Sequence, residues 1–468
     1  MQYANIITQA VQSVLSNFDA HFAYYAECFI NKRRSVSEAA RQYLYGLFQS
    51  GKSNLERMSE VVVGSVYHRL HHMLSDAVWE SASVRRRLSA DANRHHLGSL
   101  QSGLLIDGSG FSKKGEKSAG VQRQWNGRHG KVDNCQVGLF GAIAKGDIAA
   151  LVDARLYLPE SWSEDTQRCE EAGIPKEARK HLSKGELAAD IVRTARQNGL
   201  RFGFVGFDGE FGQLPWLLRE LADTGETFMA DVHSNQMIYA EDPCPHVPSR
   251  KDGRGRTPIH LKSQVQGETV TAWLARQPDT AWRRVVLRPG EKGEIMAEFM
   301  QARVYVWDEK ESKARRWHLL VRRELDGTKI RYCLCNAHAD TGLHELARMQ
   351  GLRFFVEQAF KEAKSACGMA EYQCRKWDGW HHHMSMVMIA TMFLAKERLA
   401  LRETAKLLSC EDVVQMIKHR LPAKVVDDNT LVAQITLRHQ NRLNARESAY
   451  RRQAKNRPIV KEEFNLSK

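Results

Sequence analysis

Between about residues 100 and 232 the chain alternates in a way that admits few folds. LLID (104 to 107) is a short apolar run that ends in an acid. NCQVGLFGAIA and DIAALVDARLYL are β-rich stretches split by Lys145 and Gly146, which reads as a hairpin. GELAADIVRTARQNGL has helical periodicity and a glycine stop, FGFVGF (202 to 207) is a buried strand, QLPWLLRELADTG is a second helix and TFMADV a further strand. Strand, hairpin, helix, strand, helix, strand is the pattern of an α/β fold. LLID and FGFVGFD each deliver an aspartate, Asp107 and Asp208, where an apolar strand stops, and strand ends are where α/β folds place chemistry. Asp153 and Asp231 also lie on strand-like segments and are reserve acids for such a site, with structural roles the better account of them.

The flanks differ in texture. Residues 1–98 read as a helical domain. Ile6, Ile7, Ala10, Val11, Val14, Leu15 and Phe18 form an apolar stripe, and Ser35/Glu38 and Ser53/Glu56 have the spacing of capping boxes. LERMSEVVVGSVYHRLHHML fits two short helices bent at Gly64 and Ser65, with Tyr67, His68, Arg69, His71 and His72 facing out of the second. A helix-turn-helix and a plain helical hairpin both suit it; Arg85, Arg86 and Arg87 just beyond favour the DNA-binding form. The core's first part spans 99–240. EDPCPHVPSRKDGRGR marks an exposed loop, and WRRVVLRPG, ARVYVWDEK, WHLLVRREL and KIRYCLCNAH predict a β-rich insertion domain over 241–337. The last part of the core spans 338–400, and a helical basic region spans 401–468. From Arg438 to Lys468 it carries nine Lys/Arg against three acids.

A chain of 468 residues, 43% hydrophobic, buries a sizeable core and is long for one domain. Its net charge of +14 favours a polyanionic partner, nucleic acid first, over a mere solubility surplus. No apolar run has the length of a membrane span, and MSMVMIATMFLA (384 to 395) suits a buried core helix, so no membrane partner is expected. The opening MQYANIITQAVQSVL lacks the features of a secretory signal, and nine cysteines without a framework fit reduced thiols, so a cytoplasmic protein is expected. Cys333 and Cys335 have no second pair at zinc spacing, and His381, His382 and His383 point in different directions on a helix.

LRFFVEQAFKEAKSACG (352 to 368) is a helix with two faces. Leu352, Phe355, Val356, Ala359, Phe360 and Ala363 make a core stripe, while Arg353, Glu357, Lys361 and Lys364 share another face. That face is either solvated surface with an Arg353 to Glu357 pair or one wall of a site. With Asp107 and Asp208, Glu357 would complete three carboxylates, hard oxygen donors of the type magnesium takes. Two ions roughly 3.5–4 Å apart form the clamp for in-line phosphoryl displacement. The loop Ser112, Lys113, Lys114, Gly115 and Lys117 is placed to hold phosphate or to lie solvated. Trp125, Trp307 and Trp317 could stack on a base, with core packing the commoner fate.

These residues resemble a known family. Arg353, Glu357 and Lys364 reproduce the R-(3)-E-(6)-K part of the Y-(2)-R-(3)-E-(6)-K signature of bacterial insertion-sequence DDE transposases, which have a ribonuclease-H-like core. LLIDGSGFSKKGEKSAGVQRQWNGRHGKVDNCQVGLFGAIA looks like that family's first-aspartate block, LYLPESWSEDTQRCEEAGIP like its middle segment and FDGEFG like its second-aspartate block. The resemblance implies a mixed-sheet core interrupted by a β-rich insertion domain. It implies Asp107, Asp208 and Glu357 as catalytic metal ligands, two Mg2+ ions with Mn2+ as a substitute, and Arg353 and Lys364 as DNA-backbone contacts, with Lys113 and Lys114 added from the basic loop. It further implies binding of double-stranded DNA at transposon ends and target, hydrolysis of a phosphodiester, joining of the 3′ end to target DNA, and a homodimer on DNA in the bacterial cytoplasm or nucleoid. The alternative is a transposase-derived regulator or architectural protein without cleavage. Gln350 stands where the signature has tyrosine; it can donate to a phosphate but has no ring to stack.

Overall fold

The computed structural model describes residues 2–127, 129–249, 258–290 and 293–456. Part of the expected exposed loop, 250–257, and the basic tail beyond 456 lie outside the described residues.

The N-terminal region is helical: α1 (Gln2–Tyr25), α2 (Ser37–Gln49), α3 (Leu55–Val61), α4 (Tyr67–Ser75) and α5 (Ser81–Arg94). Ala10, Val14 and Phe18 of the predicted stripe are buried. The two capping boxes are not formed. Val36 occupies the cap of α2 without a side-chain bond, and Asn54 rather than Ser53 caps α3 by accepting from Arg57 N–H at 3.1 Å. Asn54 is the neighbour with the extended backbone a cap requires, and the Ser53 N–H goes instead to Glu371. Gly64, at φ +74°, turns the chain between α3 and α4, and Tyr67, His68, Arg69, His71 and His72 are exposed as the pattern predicts.

Ten strands form one sheet: β1 (Ser99–Ser112), β2 (Gln122–Asn126), β3 (Lys131–Lys145), β4 (Ile148–Leu156), β5 (Phe202–Phe207), β6 (Phe228–Val232), β7 (Arg283–Gly290), β8 (Gly293–Val306), β9 (Arg315–Glu324) and β10 (Ile330–Cys335). Their order is β7-β8-β9-β10-β6-β5-β1-β3-β2, with β4 also paired to β3. The pairs β1/β5 and β5/β6 are parallel; the others are antiparallel. Lys145 and Gly146 do make the β3/β4 hairpin, with Gly146 at φ +62°. Helices α6 (Lys184–Gln197) and α7 (Pro215–Asp223) lie between these strands in sequence, and α6 starts with a complete Ser183/Glu186 capping box.

The β-rich block is an insertion in chain order but not a sheet of its own. β10 pairs with β6 from Tyr332↔Val232 to Cys335↔Met229, so β7 to β10 extend the core sheet. The physical reason is the edge of β6, which β10 covers with a run whose last four residues are buried.

The chain ends in α8 (Leu343–Leu352), α9 (Phe354–Ala366), α10 (Trp377–Ala400), α11 (Cys410–Arg420) and α12 (Asp428–Asn456). The apolar run 384–395 is the buried centre of α10, which packs between β4 and helices α2, α4 and α5. Each large apolar side chain sequestered there contributes about 1.5–3 kcal/mol relative to exposure. Gly138 on β3 permits the approach: a Cβ there would stand 2.7 Å from Trp380 of α10. His382 stacks on Trp79 and His383 meets the Tyr43 hydroxyl, so the three histidines serve separate packing roles. Among the described residues no helix is long and apolar enough to cross a membrane.

Candidate active site

Strand register builds the site. Parallel pairing sets Ile106 beside Phe207 and Phe207 beside Ala230. The next residue on each strand is Asp107, Asp208 and Asp231, so three neighbouring chains present an aspartate at the same level. Asp107 is not at the end of its strand, as its apolar run suggested. β1 continues to Ser112 against β3, and what stops beside Asp107 is its partner β5. Asp208 leaves β5 and caps the turn Gly209–Gly212 by accepting from Glu210 N–H at 2.9 Å.

Glu357 arrives from α9. The predicted helix begins at Phe354 rather than Leu352: α8 ends at Leu352 and Arg353 is the helical-backbone joint between the two. Phe355, Val356, Ala359, Phe360 and Ala363 are buried as the stripe predicts, and Glu357 is exposed. Arg353 is not on a solvated face. It is only 8% exposed, with Nε 2.8 Å from Asp231 Oδ2 and Nη2 3.7 Å from Glu357 Oε1. The Asp231 contact is close in distance, yet its Nε–H is not aimed along a hydrogen bond.

Charge acts across these residues. Burial, then the Asp208 carboxylate, push the Asp107 carboxyl up to about 7, with Glu357 adding to the effect and the Gly108 N–H and Arg353 opposing it. Burial likewise raises Asp208 against the pull of Arg353. Burial alone would lower the Arg353 guanidinium, but Asp231, Asp208, Glu357 and Asp107 more than offset it. One arginine therefore faces four carboxylates, and the cluster is short of positive charge.

The donor set suits a hard divalent cation by type and by charge. It is not closed around one point: among the described residues no group of three or more His, Cys, Asp or Glu stands in metal-holding geometry. Asp107 feels the charge of both Asp208 and Glu357, and Arg353 stands against Glu357.

The other candidate residues divide. Lys113 turns inward, its Nζ 3.4 Å from the centre of the Tyr372 ring and donating to the Tyr372 carbonyl at 3.3 Å; burial pushes its ammonium down to about 8. Lys114 is exposed on the same loop. Lys364 is half-buried, two helical turns beyond Glu357, with Nζ 5.6 Å from the Phe360 ring. Gln350 is buried and accepts from Arg322 at 3.1 Å, so it does not face outward. Trp307 and Trp317 are core residues, whereas Trp125 is 60% exposed on β2. Asp153 belongs to a buried ion-pair network with Arg85 and Arg155. Asp231, a reserve acid in the sequence, comes level with Asp107 and Asp208 through the register of β6 against β5.

The family described as DDE superfamily endonuclease matches residues 24–294, a span with Asp107 and Asp208 inside it and Glu357 beyond it. The "Probable transposase for insertion sequence element IS701" of Microchaete diplosiphon is 22% identical over 323 residues, 69% of this chain and 72% of that protein. A cryo-EM structure of the piggyBac transposase synaptic complex with hairpin DNA superposes with a TM-score of 0.38 and 10% identity, covering 88% of this chain and 77% of that one. With a match over more than half its length, the chain belongs to the DDE superfamily endonuclease family.

Proposed function

We propose that the chain binds the inverted repeats at the ends of its own element, cuts a phosphodiester there and joins the freed 3′ end to target DNA. The observation that carries this reading is the register that sets Asp107 and Asp208 side by side, with Glu357 joined to them through Arg353. Asp107, Asp208 and Glu357 are the residues that would hold Mg2+, two ions by family analogy, with Mn2+ as a substitute. A metal held there would activate a water and stabilise charge at the phosphate.

In the first step the water oxygen bonds to phosphorus, the bond from phosphorus to the 3′ oxygen breaks, and the 3′ oxygen leaves as a hydroxyl. In the second, that hydroxyl attacks a target phosphodiester and displaces its 3′ oxygen. The chain's own residues bind and orient. Lys114 and Lys364 contact the backbone, Arg353 reaches a phosphate through the guanidinium edge not turned to Asp231, and the exposed face of α4 meets duplex DNA. A mixed sheet with its acids at one level supports a ribonuclease-H-like core. The family resemblance supports a homodimer holding two ends.

Incubating the purified protein with DNA carrying the element's own end and Mg2+ tests the reading. Nicking at the end followed by joined product supports it. Tight end binding without any cleavage would support the regulator instead.

A further inference from the structure

The catalytic reading uses three of the four acids that face Arg353 and leaves Asp231 without a task. Both oxygens of Asp231 are engaged. Oδ1 accepts from the Cys333 thiol at 3.1 Å, across the β6/β10 pair that sets these residues opposite each other, and Oδ2 lies 2.8 Å from Arg353 Nε. Arg353 is a buried cation on a joint between helices, and a buried cation must stay paired. Its other neighbours are Asp208, Glu357 and Asp107, the acids assigned to the metal.

We infer that Asp231 is a positioning residue: its carboxylate holds the Arg353 guanidinium at the end of the aspartate row and keeps that cation from closing onto Asp107, Asp208 and Glu357. The pair is neutral, so the three remaining acids are left to face cations brought from outside. The thiol of Cys333 donates to the Asp231 carboxylate, the carboxylate pairs by charge with the guanidinium at Nε, and Nη2 of the same group stands 3.7 Å from Glu357. Arg353 is thereby set beside Glu357 without neutralising the row.

This inference rests on the metal assignment proposed above, and Mn2+ binding to the full-length protein, followed by electron paramagnetic resonance without DNA, separates the two. If the wild type binds no Mn2+, or if Asp208→Asn binds as the wild type does, the metal assignment fails and the inference falls with it. Given wild-type binding, Asp231→Asn should weaken Mn2+ about tenfold or more, the scale on which outer partners of ligands act. In an Arg353→Gln background the same substitution should weaken it by about threefold or less, because the cation to be restrained is gone. Equal losses in both backgrounds are what a change of net charge alone produces and overturn the positioning role, as does unchanged affinity in Asp231→Asn. Arg353→Gln alone should tighten Mn2+ binding, and if Asp231→Asn does not fold, an unchanged or weakened affinity in Arg353→Gln overturns the inference by itself.

Discussion

Two charge clusters of this protein draw on the same residue types and reach opposite balances. In the helical layer, Asp91 is fully buried, accepts from Tyr25 at 2.8 Å and pairs with Lys396 at 3.2 Å. His21, 3.0 Å from Lys396 Nζ, donates from its other nitrogen to the Ile389 carbonyl; burial and then Lys396 push it down to about 3, so it is neutral. One anion meets one cation and the polar groups around them are bonded. Beside the sheet, Asp107, Asp208, Asp231 and Glu357 all act on the one guanidinium of Arg353. A closed balance fastens α1, α5 and α10 together. An open one stores repulsion, which a fold keeps where a partner from outside supplies the missing charge.

The largest expected effect lies in the open cluster. Asp107→Asn, Asp208→Asn and Glu357→Gln should each lower Mg2+-dependent end cleavage on the order of 10³-fold or more, while end binding persists through the basic surface. Cleavage and gel-shift assays on the same DNA check it. Near-normal cleavage in any one of them would take that residue out of the site.

The closed cluster should answer in stability rather than chemistry. Removing one partner, by Asp91→Ala or Lys396→Met, strands the other charge in the interior and should cost about 3–5 kcal/mol in urea unfolding. Cleavage per folded molecule should be retained. Were either variant as stable as the wild type, the ion pair would not be what fastens the helices.

How far the sequence revealed these clusters depends on what each requires. Asp107 and Asp208 stand out as candidates because an acid closing an apolar run is a local pattern, and the α9 stripe is legible because its period is local too. Asp231 was not, since its place depends on which strand lies beside it. Arg353 misled because a helical period assigns a face but does not show the α8/α9 joint that buries it. Lys113 misled similarly: a basic loop looks free until Tyr372, 259 residues away in sequence, lies under it. The β-rich block was recognisable as strands, but its union with the core sheet is a pairing between β6 and β10, about a hundred residues apart, that no local pattern encodes.

Acid and base should separate the clusters by sign. Asp107 moves from an ordinary 3.8 up to about 7, so its contribution to stability is fully present below 3.8 and lost as pH rises through about 7. His21 moves from 6.5 down to about 3, so its contribution is present above 6.5 and lost as pH falls through about 3. In metal-free protein, Asp107→Asn should therefore be more stable than the wild type by roughly 1–3 kcal/mol at pH 8 and nearly equal to it at pH 4. Melting curves across that range decide it. A variant no more stable at pH 8 would mean that neither burial nor the neighbouring carboxylates disfavour the Asp107 charge.

The smallest effect concerns the cations around the open cluster, and it asks which of them are available to DNA. Each lysine that meets a phosphate releases counterions, so its removal should lower the magnitude of the salt slope by about one unit of log K per log salt. Lys364→Ala and Lys114→Ala should each do so, since one lies two turns from Glu357 on α9 and the other is exposed on the loop after β1. Lys113→Ala should leave the slope unchanged and instead lower stability, because its ammonium lies over the Tyr372 ring and donates to that residue's carbonyl. Affinity for end DNA measured over a salt series reads all three. A slope that falls with Lys113 and not with Lys364 would place the DNA on the β1 loop through a rearranged lysine and away from α9, and the charged face of that helix would then be ordinary solvated surface.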